Sequence, residues 1–215
     1  MKTEQLAFTP IKSQTSKKFL YSRLHSLAGI VPLGLFLIEH FFSNATAILG
    51  ERNYNETIGM IQSIPFLILF EIVFIAIPLL YHAIYGIYLS MLSKNNASSY
   101  SFKRNWMFVA QRMTGIITLI FIVYHVWSFR LSTAITGTEV SFQLVSEHLQ
   151  NPFIFAFYVV GILSTNYHFC NGLSTGLITW GITIGAKSQK AATKMCLALF
   201  TFLSIIGLIT LIVFI

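Results

Sequence analysis

Six histidines occur in this 215-residue chain, and four of them lie inside long apolar stretches. They are His40, His82, His125 and His168, each in a different stretch, at intervals of 42, 43 and 43 residues. An imidazole in such surroundings either forms a hydrogen bond between neighbouring helices or serves as a metal ligand, because ionisable groups in hydrocarbon are costly unless they have a partner. Four of them, one on each of four stretches, favour the ligand role.

The stretches around these histidines have the length of membrane spans. About 20 apolar residues in a helix cross a bilayer core of about 30 Å. Of all residues, 55% are hydrophobic and 10% are charged, and the mean hydropathy is +0.71, which excludes a water-soluble globule and a disordered chain. We predict an all-α integral membrane protein with five transmembrane helices, of which the first four form a bundle around the histidines. The predicted spans cover residues 24–48, 65–92, 106–131, 152–180 and 195–215.

The net charge of +7 indicates how these spans are oriented. All nine lysines lie before the first span, between the second and third, or between the fourth and fifth. These regions share one side of the membrane, and positive charge in short loops marks the cytoplasmic side. We predict a cytoplasmic N-terminus, a basic cytoplasmic tail over residues 1–20, and one five-helix domain over residues 21–215. The charge is a topology signal, so we expect no nucleic-acid partner.

Alternating helix direction sorts the four histidines into two pairs. At about 1.5 Å of rise per residue, His40 and His125 lie roughly 6 to 9 Å toward the outside of their span midpoints. His82 and His168 lie roughly 3 to 5 Å toward the inside. The neighbouring residues support the same pairing. The outer two are followed by an aromatic residue at +2 and serine at +3, and the inner two by glycine at +4.

Two imidazoles that face each other across a helical bundle suit a bis-histidine haem, which is an electron-transfer centre. A zinc or di-iron site would need more ligands close together, including carboxylates or paired histidines on one helix. Gly86 and Gly172, one turn after the inner histidines, are expected to leave room for a flat ligand. Two such centres, one above the other, would carry electrons between the membrane faces.

Charged side chains inside the spans are candidates for the remaining chemistry. Arg112, about 10 Å inside the midpoint of its span, and Arg130, near the outer pair, are candidates to bind haem propionates. Contact with lipid headgroups is the alternative for both. Glu71, about 11 Å outward of its span midpoint, is a candidate to exchange protons with a quinone, and a structural hydrogen bond is equally compatible with its position.

Two further histidines lie near the ends of the spans. His25 belongs to a polar cluster with Arg23 and Ser26 where the chain enters the membrane on the cytoplasmic side. This cluster is a candidate contact for quinone or a haem propionate, and an interfacial anchor is the alternative. His148 lies in an outer loop beside Glu147, where we expect a solvated side chain.

Taken together, these residues resemble the cytochrome b subunits that anchor succinate dehydrogenase and fumarate reductase to the membrane. The type is the single-chain, di-haem, five-helix anchor of bacterial succinate:menaquinone oxidoreductases, and the resemblance runs from about Tyr21 to the C-terminus. It is carried by Arg23-Leu24-His25-Ser26-Leu27, Glu39-His40, Pro78-Leu79-Leu80-Tyr81-His82-Ala83-Ile84-Tyr85-Gly86, Arg104-Asn105-Trp106-Met107-Phe108, Gln111-Arg112-Met113-Thr114-Gly115, Tyr124-His125-Val126-Trp127 and Asn166-Tyr167-His168-Phe169.

The resemblance implies two noncovalent b haems, one held by His40 and His125 near the outside and one by His82 and His168 near the inside. It also implies a flavoprotein subunit and an iron–sulfur subunit as partners, menaquinone as substrate, and a multi-pass location in the bacterial cytoplasmic (inner) membrane. The chain has no identifiable dicarboxylate or flavin site, so we expect an electron-transfer anchor subunit and not the dehydrogenase itself.

Two other functions could use intramembrane histidines. A cytochrome b of the bc type carries two ligands about 13 residues apart on one helix, whereas each span here carries one. A proton-coupled transporter could use intramembrane histidines and Glu71 as a relay. Transporters commonly have broken helices and related halves, and no convincing repeat is visible beyond the histidine spacing.

Overall fold

The computed structural model describes residues 14–93 and 97–215, and these residues form helices joined by short turns, with no β-strand among them. Five helical segments within this part of the chain are long and apolar enough to cross a membrane. The predicted all-α, five-span architecture is confirmed. Of the predicted basic tail, residues 1–13 lie outside the described part, and residues 14–20 belong to the first helix.

Several of the spans consist of more than one helical piece. The first joins α1 and α2, which meet at Val31 and Pro32, and ends in a 3₁₀ turn. The second and third each contain one π-helical turn, and the fourth and fifth are continuous. In chain order the spans are α1 (Gln14–Ile30), α2 (Pro32–Ala45) and the turn Thr46–Leu49; α4 (Leu67–Glu71), the π turn Ile72–Ala76 and α5 (Ile77–Leu92); α6 (Lys103–Val126), the π turn Trp127–Leu131 and α7 (Ser132–Thr136); α9 (Pro152–Thr179); and α10 (Ala186–Val213).

The span boundaries differ from the predictions mainly where polar residues extend a helix beyond the hydrocarbon. The fifth helix begins at Ala186 instead of residue 195, because apolar composition marks only the part of a helix that lies in the hydrocarbon core of the bilayer. The second span begins at Leu67 instead of residue 65. Phe66 has a left-handed backbone with φ of 59°, which interrupts the helix immediately before Leu67.

The two π-helical turns lie toward the outer ends of the second and third spans. Pro78 follows the first of them, Ile72–Ala76. Proline has no N–H to donate to the preceding turn, so a local change of helix geometry there is expected. The second, Trp127–Leu131, begins two residues after His125 and contains no proline. The sequence therefore gave no indication of this second π turn.

Two short helices cover the outer ends of the bundle, in places where the sequence indicated loops. They are α3 (Glu51–Gln62), which lies between the first two predicted spans, and α8 (Phe142–Leu149), which lies between the third and the fourth. The Phe142 backbone N–H donates to Asn55 Oδ1 at 2.8 Å and joins the two helices. Tyr54 is 2% exposed, and its ring lies 5.2 Å from that of Phe214 at the end of the chain. The two helices and the end of α10 thus share one apolar core.

Helix α9 packs against α1, α6 and α10, and small residues let these helices approach closely. A side chain on Gly161 of α9 would collide with the ring of Phe121 on α6, and one on Gly207 of α10 would collide with Phe41 on α2. Asn151 begins α9 by accepting the Phe153 N–H at 2.9 Å, and Pro152 occupies the first turn, as its position in the sequence predicts.

The apolar core shared by α3, α8 and the end of α10 provides a first test of stability. We expect Tyr54→Ala to destabilise the protein by about 3 to 5 kcal/mol, the usual cost of removing a buried aromatic ring, and Tyr54→Phe to be nearly neutral at pH 7. Burial raises the pKa of Tyr54 to about 12, so its ionisation opposes folding between pH 10 and 12. Denaturant unfolding in detergent should therefore show the wild type losing stability relative to Tyr54→Phe over that range. Equal pH profiles for the two proteins would contradict a buried hydroxyl.

Candidate functional site

The inner pair of histidines is formed by α5 and α9. The ring centroids of His82 and His168 are 6.0 Å apart, and the ring planes are almost perpendicular at 88°. Nδ1 of His82 lies 3.0 Å from the carbonyl oxygen of His25, and Nδ1 of His168 lies 3.0 Å from the carbonyl oxygen of Gln111. Each ring is thus oriented by the backbone of a third helix, α1 for His82 and α6 for His168.

The outer pair is formed by α2 and α6. The ring centroids of His40 and His125 are 5.6 Å apart, with an angle of 84° between the ring planes. Nδ1 of His125 lies 3.3 Å from the hydroxyl of Tyr158 on α9. Nδ1 of His40 lies 3.4 Å from the amide nitrogen of Asn44, which also donates to the His40 carbonyl oxygen at 2.7 Å. The structure therefore brings together the same two pairs that the depth estimate produced.

In the described part of the chain, all four imidazoles contact polar protein groups through Nδ1. A carbonyl that accepts the Nδ1 proton selects the tautomer with a free Nε2 lone pair, whereas the Asn44 amide donates to Nδ1 of His40 and selects the opposite tautomer. Carbonyl oxygens take this role for both inner histidines. Protein-bound metals commonly have histidine ligands oriented by such outer hydrogen bonds.

The separation of the rings fits one metal ion held between two axial imidazoles. A metal–imidazole nitrogen bond is about 2 Å long, so the centroids of two rings on opposite sides of one ion are about 6 Å apart. The observed separations are 5.6 and 6.0 Å. Among the described residues, no cluster of three or more histidine, cysteine or acidic side chains could hold a metal by itself. Two facing histidines suit a porphyrin iron, because the porphyrin supplies the other ligands.

Glycines lie against the inner histidines, but not at the positions expected from the sequence. A side chain on Gly29 of α1 would collide with His82, and a Cβ on Gly115 of α6 would lie 2.8 Å from Cε1 of His168. The expected glycine, Gly86, instead faces His25, with its hypothetical Cβ 3.1 Å from that ring. Gly172 likewise faces the side chain of Gln111. The expectation that these two leave room for a flat ligand is wrong, because protein side chains occupy both places.

His25 lies directly beside the inner pair. Its ring is stacked on that of His82, with centroids 4.1 Å apart and 13° between planes. Arg23 lies over the rings of Phe19 and Trp180, at 4.7 and 5.4 Å from their centroids. Ser26 lies where α1 meets α9, since a Cβ on Gly176 would be 3.3 Å from its hydroxyl. Of this cluster, His25 contacts a predicted haem ligand directly.

Arg112 is satisfied by protein groups at the end of α5. Its guanidinium donates to Ser90 Oγ at 3.1 Å, to the Ser93 carbonyl oxygen at 3.0 Å, and to the Ser90 carbonyl oxygen. It also lies 5.5 Å from the ring centroid of Phe108. Carbonyls at a helix C-terminus have no partner within the helix and carry partial negative charge, which explains how an arginine is accommodated here without a carboxylate.

Arg130 and Glu71, which the sequence placed in separate roles, form an ion pair. Arg130 Nη2 lies 2.6 Å from Glu71 Oε2, and Nε donates to the same carboxylate at 2.9 Å. Glu71 immediately precedes one π-helical turn, and Arg130 lies within the other. The pair thus joins the two irregular segments, and π turns are frequent at functional sites.

His148 is less solvated than its loop position suggested. Its Nε2 lies 3.2 Å from the hydroxyl of Tyr124, and its ring centroid lies 5.0 Å from that of Phe129. Burial lowers the pKa of His148 below its ordinary value of 6.5. The expectation of a solvated side chain is wrong because α8 folds back onto α9 and the outer end of the third span.

Sequence reasoning missed several residues that position the histidines. Gln111, Gly115 and Tyr158 contact predicted ligands, as do Gly29 and the backbone of His25. Gln111 and Gly115 belong to a segment that carries the family resemblance, but the sequence analysis gave a role only to its Arg112. Tyr158 lies ten residues before His168 on α9 and contacts a histidine of the other pair, a relation that no local spacing indicates.

The fold and these contacts define a five-span helical membrane protein with two facing imidazole pairs, the arrangement of a membrane cytochrome. Residues 93–207, which include His125 and His168, match the family model described as succinate dehydrogenase/fumarate reductase transmembrane subunit. The succinate dehydrogenase cytochrome b558 subunit of Bacillus subtilis (strain 168) is 46% identical over 193 residues, which cover 90% of this chain and 95% of that protein.

The chain therefore belongs to the succinate dehydrogenase/fumarate reductase transmembrane subunit family. It is a multi-pass membrane cytochrome b subunit of that family, as the sequence resemblance implied. This membership leaves the transporter alternative without support.

The contact between Gly115 and His168 provides a second test. We expect Gly115→Ala to destabilise the protein by about 1 to 3 kcal/mol, because the added methyl group displaces a ring that is held by the Gln111 carbonyl. Gly59→Ala is the control: Gly59 is also helical, and nothing lies within 4 Å of its hypothetical Cβ. It should be neutral or stabilising by up to about 1 kcal/mol. Thermal unfolding in detergent measures both, and equal stability of the two variants would show that His168 is free to move.

Proposed function

We propose that this chain is the quinone-reactive membrane anchor of a succinate:menaquinone oxidoreductase, or of the corresponding fumarate reductase. It would carry electrons between an iron–sulfur subunit and membrane menaquinone through two noncovalent b haems. The observation that supports this most directly is that the imidazoles face each other in two pairs. The ring centroids are 5.6 Å apart for His40 and His125 and 6.0 Å apart for His82 and His168. Both separations suit one iron between two rings.

Haem bound in these positions supplies one-electron redox chemistry and a potential tuned by its ligands and surroundings. The chain's own contribution is to hold each imidazole in one orientation. Carbonyl oxygens of His25 and Gln111 orient the inner rings, and the Tyr158 hydroxyl orients His125. A carbonyl that accepts the Nδ1 proton makes the imidazole a stronger donor, so these contacts also tune the iron potential.

The partners follow from the proposed reaction. The B. subtilis relative is named a succinate dehydrogenase subunit, and oxidising succinate requires a flavoprotein and an iron–sulfur protein that this chain does not contain. Both would bind on the lysine-rich side, which the positive-inside rule makes cytoplasmic. The membrane would be the bacterial cytoplasmic (inner) membrane, the usual location of a menaquinone-linked enzyme.

The Glu71–Arg130 ion pair is the candidate group for proton exchange with menaquinone. Reduction of a quinone takes up protons with electrons, so an ionisable group near the outer haem site is needed. The Glu71 side chain is 26% exposed and that of Arg130 is 44% exposed, so the pair can be reached from outside the bundle. Arg130 would hold the carboxylate in place through its hydrogen bonds.

The other polar side chains that the sequence indicated would contact the haem propionates or the quinone from the sides of the bundle. Arg112 belongs to α6 and lies beside the end of α5, the helix that carries His82, where it would take this role in addition to its bonds to Ser90 and Ser93. His25, with Arg23 and Ser26 nearby on α1, would border the inner haem, since His25 is stacked on His82. Running the electron transfer in reverse would oxidise menaquinol and reduce fumarate.

Histidine substitutions test the assignment of the two centres. His82→Ala or His168→Ala should remove the inner haem, and His40→Ala or His125→Ala the outer one, because each variant loses one of two axial ligands. Pyridine haemochrome assays should give two haems per chain for the wild type and about one for each variant. In absorption spectra of the reduced protein, the two variants of one histidine pair should lack the same α-band component.

His148→Ala is the matched control, because His148 is a partly buried histidine outside both pairs. It should retain two haems. If His40→Ala and His82→Ala removed the same spectral component, the pairing would be wrong. A colourless wild-type protein would exclude the cytochrome function for this chain.

A substitution of Glu71 tests the quinone site. Glu71→Gln keeps the side-chain volume and removes the ionisable group, so we expect slower quinone reduction with both haems retained, by about 10²-fold if Glu71 is a general acid–base group. Glu56→Gln is the control, since Glu56 forms an exposed ion pair with Arg52 on α3. Succinate:quinone turnover measures both, and turnover unchanged by Glu71→Gln would leave Glu71 a purely structural role.

A further inference from the structure

Gln111 of α6 contacts His168 of α9 with its side chain as well as with its backbone. The backbone carbonyl oxygen of Gln111 lies 3.0 Å from Nδ1 of His168. The side-chain Nε2 of Gln111 donates to the His168 carbonyl oxygen at 3.0 Å and lies 3.2 Å from Nδ1 of the ring. In the part of the chain that the structure describes, His168 is the one facing histidine whose ring and backbone both bond to a residue of another helix.

Asn171 holds the other end of the Gln111 amide. It lies three residues after His168 on the same face of α9, and it is 7% exposed. Its Nδ2 donates to Oε1 of Gln111 at 2.7 Å. The His168 carbonyl oxygen can only accept a hydrogen bond, so Nε2 of Gln111 must face it and Oε1 must face Asn171. The two partners on α9 therefore leave the amide one orientation.

Two glycines make room for this contact. A Cβ on Gly172 of α9 would lie 3.2 Å from Nε2 of Gln111, so a side chain there would crowd the amide. Gly115, one turn after Gln111 on α6, lies against the ring of His168. Gln111 and Gly115 thus meet one face of α9. This contact fixes the rotation of α9 relative to α6, and that rotation decides where Nε2 of His168 points.

We propose that Gln111, held by Asn171, is a positioning residue of the inner haem. Its side chain fixes the orientation of the His168 ring and thereby sets the reduction potential of the inner iron. This inference rests on the proposed function, since it requires a haem between His82 and His168. The orientation of an axial imidazole and the hydrogen bond at its Nδ1 both change how strongly it donates to iron.

The direction of the contacts favours positioning over a general role in joining helices. Both the backbone carbonyl and the Nε2 of Gln111 bond to His168, and Asn171 lies on the same turn of α9. Asn166 provides the contrast. It is 0% exposed and also lies on α9, but its Nδ2 donates to Ser204 of α10 at 3.3 Å. A substitution of Asn166 therefore removes a buried amide bond between helices without removing a contact to a predicted ligand.

The test measures the reduction potential of each haem in the purified membrane complex. Gln111→Met keeps the length of the side chain and removes its hydrogen bonds, so the bond from Nδ1 of His168 to the residue 111 carbonyl should loosen. The imidazole then donates less to the ferric iron, and we expect the potential of the inner haem to rise. The outer haem of the same molecule should be unchanged. Redox titration of the α bands gives both potentials, and electron paramagnetic resonance of the ferric haems reports the ligand geometry at each iron.

Two further variants separate positioning from stability. Asn171→Ala leaves the bond from Gln111 to His168 in place but frees Oε1, so it should raise the potential of the inner haem by less than Gln111→Met does. Asn166→Leu is the matched control and should leave both potentials unchanged. If Gln111→Met loses the inner haem, Asn171→Ala decides the outcome.

The proposal is overturned if these positioning variants retain both haems and leave the potential and the resonance of the inner haem as in the wild type. It is also overturned if Asn166→Leu shifts the potential of the inner haem as much as Gln111→Met does, since the effect would then come from helix packing alone. A wild type that binds no haem would instead overturn the proposed function, so the two failures can be told apart.

Discussion

The polar contact at Nδ1 of each intramembrane histidine is the interaction on which the rest of this structure depends. An imidazole in an apolar bundle must have its polar atoms satisfied, and a hydrogen-bond acceptor at Nδ1 leaves Nε2 with the lone pair that can bind a metal. For His82, His125 and His168 the partner comes from a different helix, namely α1, α9 and α6. The same contacts that satisfy the rings therefore also set how four helices pack.

This requirement explains the small residues between the helices. A backbone carbonyl reaches a ring on another helix only if the two helices are close, and a side chain at Gly29 or Gly115 would prevent that approach. Gly161 and Gly207 have the same effect further out, where α9 meets α6 and α10 meets α2. Close packing in the membrane thus occurs both beside the histidines and further out along the spans.

The two ends of the bundle differ in their charges. The end where α6 and α10 begin has cations without carboxylate partners among the described residues. The opposite end has the Glu71–Arg130 pair and is covered by α3 and α8 around Tyr54. Under the function proposed above, the first end would bind the partner subunits, and the ion pair at the other end would exchange protons with the quinone.

The sequence by itself determined the five spans and the pairing of His40 with His125 and of His82 with His168, and it predicts the orientation of the spans. Span length, lysine position and helix rise are local properties that follow directly from residue order. Only the tertiary structure decided that Glu71 meets Arg130, that His25 stacks on His82, and that Gly29 and Gly115, instead of Gly86 and Gly172, face the inner rings. These contacts depend on the rotation of each helix about its axis. Two π turns and the packing of neighbouring helices set that rotation, and apart from Pro78 near the first π turn they leave no local signal in the sequence.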